Sequence, residues 1–179
     1  MIQIASEESS PQAHQRSLIL MRHAKSDWSD ESLADHDRPL NKRGRRDAGR
    51  MADWLQSIQR VPTLVLCSTA TRTRETLDLM LAVWDDAPDV IHCENLYLAA
   101  ADEIFAEIRT LGTDEPSIMA LAHNPGMTYA ASMMADQSIE MPTAAIAIYD
   151  LSIESWPSLH EDAERRLACF MRPKALPES

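Results

Sequence analysis

Four short apolar runs constrain the fold of this chain more than any other feature. They are SLILM (17–21), TLVLC (63–67), SIMALA (117–122) and AAIAIYDL (144–151). Each has the length of a strand, and none alternates cleanly between apolar and polar residues. Strands buried on both faces read this way, and they belong to mostly parallel sheets covered by helices. A fifth candidate, RLACFM (166–171), is followed by Pro173 and is expected near an edge or end of the sheet.

Helical periodicity fills the intervals. In RGRRDAGRMADWLQSIQ (43–59), Ala48, Met51, Ala52, Leu55 and Ile58 form an apolar stripe opposite basic residues. TRTRETLDLMLAVW (71–84) groups Leu77, Met80, Leu81 and Trp84, and ADEIFAEIRTL (101–111) groups Ile104, Phe105, Ile108 and Leu111. GMTYAASMMA (126–135) is a fourth candidate. Strands alternating with helices predict an α/β fold, a three-layer α/β/α sandwich with a mostly parallel central sheet. The chain reads as one domain over 17–179, preceded by a polar, flexible leader over 1–16. The longest stretch without a pattern is KSDWSDESLADHDRPLN (25–41), and a loop of that length is often functional.

The net charge of −11 argues against a general binder of nucleic acid or membrane surfaces, which needs a basic face. Any anionic substrate must therefore meet a local basic pocket. Arg22, Lys25, Arg38, Lys42, Arg43, Arg45, Arg46 and Arg50 are such a concentration. The cysteines at 67, 93 and 169 are odd in number and form no C-x-x-C pair, which points to a reducing compartment. Cytoplasmic localisation is expected, with no membrane span.

The first three apolar runs each end in residues suited to phosphate. Arg22 and His23 close the first, Ser68 and Arg72 follow the second, and His123 and Asn124 follow the third. In open α/β sheets ligands sit beyond the carboxyl ends of the strands. If these three strands are parallel neighbours, two arginines and two histidines converge there. Guanidiniums can grip phosphate through bidentate, charge-assisted bonds, and a neutral imidazole can attack phosphorus and carry the phosphoryl group. Such a site needs no metal and no other cofactor. Metal ligation by His23, His36 and His123 is disfavoured, because no pair has local ligand spacing. His14, His36, His92 and His160 read as hydrogen-bonded structural residues.

LILMRHAKS resembles the Arg-His-Gly/Ala signature that opens the histidine phosphatase superfamily, the group related to phosphoglycerate mutase. DRPLNKRGRRDA (37–48), CSTATRTRETL (67–77) and LAHNPGM (121–127) resemble its later motifs, in the right order. The closing RLACFMRPKAL (166–176) looks like the end of the small SixA-type phosphohistidine phosphatases. The resemblance implies a phosphoglycerate mutase-like fold, His23 as the phosphorylated nucleophile, Arg22 and Arg72 as the phosphate clamp, and His123 as the second pocket histidine. Lys25 and Asn124, beside the two histidines, are candidates for substrate contact. Thr69 stands where relatives have proline after Ser68, and the longer mutase continuation after RHA is absent.

Phosphomonoesterases of the family protonate the leaving alkoxide with a carboxylic acid. Glu94, in IHCENLYL, is the positional match, with Asp102 and Glu103 behind it. Without a placed acid the enzyme should favour phosphoramidates, whose leaving nitrogen needs less help. The sequence therefore leads to a phosphatase acting on phosphohistidine in proteins. A small-molecule phosphomonoesterase and a non-catalytic phosphate- or phosphoprotein-binding module are the alternatives.

Overall fold

All four apolar runs become strands of one sheet in a computed structural model that describes residues 15–160 and 162–177. The strands are β1 (Gln15–Arg22), β2 (Leu64–Ser68), β3 (Asp89–Cys93), β4 (Ser117–Ala122), β5 (Ile146–Ser152) and β6 (Glu164–Met171), in the order β3-β2-β4-β1-β5-β6. β1 to β4 run parallel, whereas β5 is antiparallel to both β1 and β6. RLACFM is thus an edge strand, as its following proline suggested. Most of the expected leader lies outside the described residues, but Gln15 and Arg16 already belong to β1. Arg16 ties that strand's start to the carbonyls of Glu115 (2.7 Å) and Glu154 (3.0 Å).

The strands are apolar on both sides because both sides are covered. Ile19, Met21, Val65, Cys67, Met119 and Leu121 pack with helices α1 (Lys42–Ser57) and α2 (Thr71–Leu81). Leu18, Leu20, Leu64, Leu66, Ile118 and Ala120 pack on the opposite face with α3 (Ala101–Leu111) and α4 (Gly126–Ala135). Burying each leucine-sized side chain contributes about 2 kcal/mol before entropy is counted. The three-layer sandwich follows directly.

Three local readings differ from the structure. β3 was not foreseen, because it is an edge strand on which only Cys93 is buried, and no apolar run marks it. Ile58 ends the apolar stripe of 43–59 but caps α1 and is 39% exposed. Ala144 has a left-handed φ of 61°, and β5 starts two residues later.

One junction matters for the site. Asn41 caps α1, its side-chain oxygen accepting from the Gly44 amide at 2.8 Å. A Cβ at Gly44 would collide with the Lys25 carbonyl oxygen, so only glycine lets α1 approach the segment just after His23.

Candidate active site

β2, β4 and β1 are adjacent and parallel, so their carboxyl ends line one edge of the sheet. The condition set by the sequence is met. His23 leaves β1 with its amide bonded to the Ala122 carbonyl (3.1 Å) and its carbonyl accepting from Ala144 (3.0 Å). Its backbone is therefore fixed between β4 and the approach to β5. Ser68 is the last residue of β2, Arg72 lies in the first turn of α2, and His123 follows β4.

The hydrogen bonds assign the tautomer of each imidazole. His23 Nδ1 lies 2.7 Å from the Ala24 carbonyl oxygen, which can only accept. Nδ1 therefore carries the proton, and Nε2 keeps its lone pair. His123 Nδ1 lies 3.1 Å from an Arg72 nitrogen, which can only donate. The His123 proton is then on Nε2, donated to Ser68 Oγ at 2.7 Å. The two ring centroids are 5.1 Å apart.

Both rings are neutral. Burial lowers the His23 pKa to about 4; the Ala24 carbonyl opposes the shift, and Arg72 and Arg22 add to it. Burial lowers His123 to about 3, helped by His23 and Arg72. Arg22 is also lowered, first by burial and then by the nearby Arg72 charge. Two cations thus repel each other where two imidazoles have already shed their protons.

Polar atoms in this pocket wait for a partner. Arg22 donates from Nη1 to the Met141 carbonyl at 3.0 Å, and Asn124 Nδ2 donates to the same oxygen at 3.0 Å. Among the described residues, Arg22 Nε and Asn124 Oδ1 are buried without a hydrogen bond. An unpaired donor on a buried cation is costly, and an anion in the pocket would satisfy it.

The roof comes from residues that sequence reasoning did not single out. Arg72 is 4% exposed and donates to Asp35, to its backbone carbonyl and to Oδ2 at 2.9 Å. Tyr97 donates its hydroxyl to the same carboxylate oxygen at 2.7 Å. Burial alone would raise the Asp35 carboxyl, but the bonds from Tyr97 and Arg72 outweigh it and hold the group below its ordinary range. His36, read from sequence as structural, sits at this roof. Its Nε2 lies 3.2 Å from Thr69 Oγ1, the hydroxyl that replaces the family's proline, and its ring meets Tyr97 edge-on.

The candidates differ in where they fall. His23, Arg22, Arg72, His123 and Asn124 come together. The Lys25 side chain is exposed, while its backbone accepts from Asn41 at 3.0 Å. Glu94 opens a short 3-10 turn with its side chain exposed, and Tyr97, three residues on, is the residue of that segment bonded into the pocket. Of the eight basic residues clustered in the sequence, Arg22 alone is bonded beside the histidines. Arg45 pairs with Glu75 at 3.0 Å, and Arg43, Arg46 and Arg50 face a separate cleft.

Known proteins share this framework. The model of the histidine phosphatase superfamily (branch 1) matches residues 18–97. An uncharacterised chloroplastic protein of Arabidopsis thaliana is 43% identical over 150 residues, spanning 79% of this chain and 69% of its own. A Nakamurella multipartitia protein assigned as phosphohistidine phosphatase SixA superposes with a TM-score of 0.79 at 27% identity, covering 92% of this chain and 99% of that one. An Agrobacterium tumefaciens protein with the same assignment gives 0.74 at 27% identity, over 88% and 98%. The motifs that are far apart in sequence and meet in this pocket are those of one lineage: the chain belongs to the histidine phosphatase superfamily, in its SixA-type branch, and is a phosphate-hydrolysing enzyme.

Proposed function

We propose that the enzyme dephosphorylates phosphohistidine in proteins, with His23 as the covalent carrier. The phosphoryl group sits between Arg22 and Arg72, whose charges lack a full complement of anions. His23 Nε2 forms a bond to phosphorus as the bond from phosphorus to the leaving imidazole nitrogen breaks. That nitrogen keeps the electron pair, and an imidazole already protonated on its other nitrogen departs neutral. Water then attacks the phosphorus of phospho-His23, loses its proton to solvent, releases inorganic phosphate and restores the free imidazole. His123 donates Nε2–H from its place beside the phosphoryl oxygens, shifting its bond from Ser68.

One observation carries this choice of substrate. Among the described residues, the carboxylate bonded into the pocket is Asp35, and Tyr97 and Arg72 hold it ionised. An ionised carboxylate cannot protonate an alkoxide, whereas an imidazole leaving group needs no such acid. The solved neighbours assigned as phosphohistidine phosphatases support the same substrate class. The free thiols of Cys67, Cys93 and Cys169 support a cytoplasmic setting.

The test is turnover of a ³²P-phosphohistidine protein with rapid acid-free quenching, beside phosphoserine and phosphotyrosine peptides and sugar phosphates. Label should appear on His23 and vanish in His23→Ala. Strong sugar-phosphate hydrolysis lost in Glu94→Gln would overturn the reading in favour of a small-molecule phosphomonoesterase. Phosphate binding with neither label nor turnover would leave a binding module.

A further inference from the structure

The second concentration of positive charge has its own cleft. It has a volume of about 510 Å³, and Arg43, Arg46, Asp47, Arg50, Lys174 and the ring of Pro173 lie along it. One wall is α1, and the other is the 3-10 turn Pro173–Ala175 that follows β6. Both walls stand at the edge of the sheet that carries the active site. β6 runs with β1, and its last residue, Met171, pairs with Ile146, which pairs with Met21. The start of α1 is fixed against Lys25, two residues after His23.

The cations are held in place rather than left loose. Asp47 is 1% exposed, yet it spends both oxygens on its neighbours. Oδ2 accepts from Arg43 Nε at 3.2 Å, and Oδ1 accepts from Arg46 Nε at 3.1 Å and Nη2 at 2.8 Å. Arg50 donates to the carbonyls of Pro173, Leu176 and Pro177, at 3.3, 3.3 and 2.6 Å. Carbonyls orient a guanidinium without cancelling its charge. Among the described residues, Lys174 and Arg50 take part in no ion pair, so one carboxylate faces three guanidiniums and an ammonium. Among the described residues lining the cleft, Asp47 is the one carboxylate, in a chain whose net charge is −11.

We propose that this cleft docks an acidic segment of the protein that brings the phosphohistidine to His23, an inference that rests on the protein-substrate reading above. An acidic partner is repelled by the enzyme as a whole, so it needs a preformed local field to approach in one orientation. Guanidinium forks suit carboxylates, and their prior alignment reduces the ordering cost of binding. The acidic remainder of the surface disfavours a long polyanion such as RNA, which a short glutamate- or aspartate-rich segment avoids.

The experiment uses the full chain and the exposed pair Arg46→Glu/Lys174→Glu. Fluorescence anisotropy follows a labelled glutamate-tract peptide without phosphohistidine, its glutamine counterpart, and a single-stranded oligonucleotide of equal charge. The glutamate peptide should bind at least about tenfold tighter than the glutamine one at low salt, converge with it near 0.5 M salt, and lose its advantage in the variant. The charge-preserving Arg46→Lys/Lys174→Arg pair should keep most of the binding. In parallel, the variant should turn over phosphoimidazole like the parent. Equal binding of both peptides, an unchanged preference in the variant, or oligonucleotide binding as tight as the glutamate peptide overturns the proposal. The binding arm decides it even if no phosphohistidine protein is turned over, an outcome that would strike the substrate reading instead.

Discussion

Two groups of cations stand at one edge of the sheet, and they differ in burial. Arg72 is 4% exposed and Arg22 is half-buried, packed among imidazoles, a tyrosine and carbonyl oxygens. The side chains of Arg43 and Arg46 are 48% and 63% exposed over an open cleft. The same functional group is therefore put to two uses. In the pocket, water is displaced, and that burial above all strips the protons from His23 and His123, the arginine charges adding to it. At the cleft, solvent screens the charges, which leaves them suited to attraction at a distance. The distinction predicts large chemical effects inside and modest, salt-sensitive effects outside.

Removing the proposed nucleophile should do most damage: His23→Ala is expected to lower kcat for a phosphohistidine substrate by at least about 10⁴-fold in steady-state assays. Arg72→Lys keeps the charge but loses the fork that meets Asp35 and, in the proposed mechanism, the phosphoryl oxygens. It should cost about 10²-fold in kcat/KM, whereas Arg46→Lys at the cleft should cost almost nothing. A cost for Arg46→Lys as large as that for Arg72→Lys would erase the contrast between the regions.

Proton linkage probes the buried side alone. His23 and His123 have folded pKa values of about 4 and about 3, against 6.5 for an ordinary histidine. Between those values the unfolded chain binds more protons than the folded one, so their contribution to stability is full above 6.5 and is lost as pH falls towards 3. Urea unfolding at a series of pH values should show a fall of a few kcal/mol over that window, diminished in His123→Asn. Inorganic phosphate should shift the curve, since a bound dianion favours the protonated rings. The smallest effect is expected at the roof. Asp35→Asn retains an acceptor for Arg72 and Tyr97 but removes one negative charge, and should lower KM about threefold with kcat nearly constant.

The floor of the pocket was legible because strand and site coincide there. LILM ends in Arg22 and His23, LVLC in Ser68, and IMALA in His123, so an apolar pattern followed by a polar change marked each position. The roof was not legible. Asp35 and Tyr97 are 62 residues apart and belong to irregular segments, so no period connects them. The sequence pointed to the right segment near 94 through its carboxylate, whereas the structure brings in the phenol three residues later. The basic run at 42–50 was misread as part of the phosphate pocket because composition registers charge but not the direction a helix turns it. α1 turns Arg43, Arg46 and Arg50 towards the C-terminal turn instead.

The adjacency of β1 and β4 has a consequence for the life of the chain before it is an enzyme. Ser17 pairs with Ser117 and Arg22 with Ala122, a separation of about a hundred residues along the polypeptide. Contacts that distant close slowly, because the intervening loop must first be ordered. On the ribosome, a chain that has emerged only as far as α3 holds His23 and both arginines with no β4 to seat them. Catalytic competence should therefore arrive late and in one step during synthesis, when residues 117–123 insert between β1 and β2.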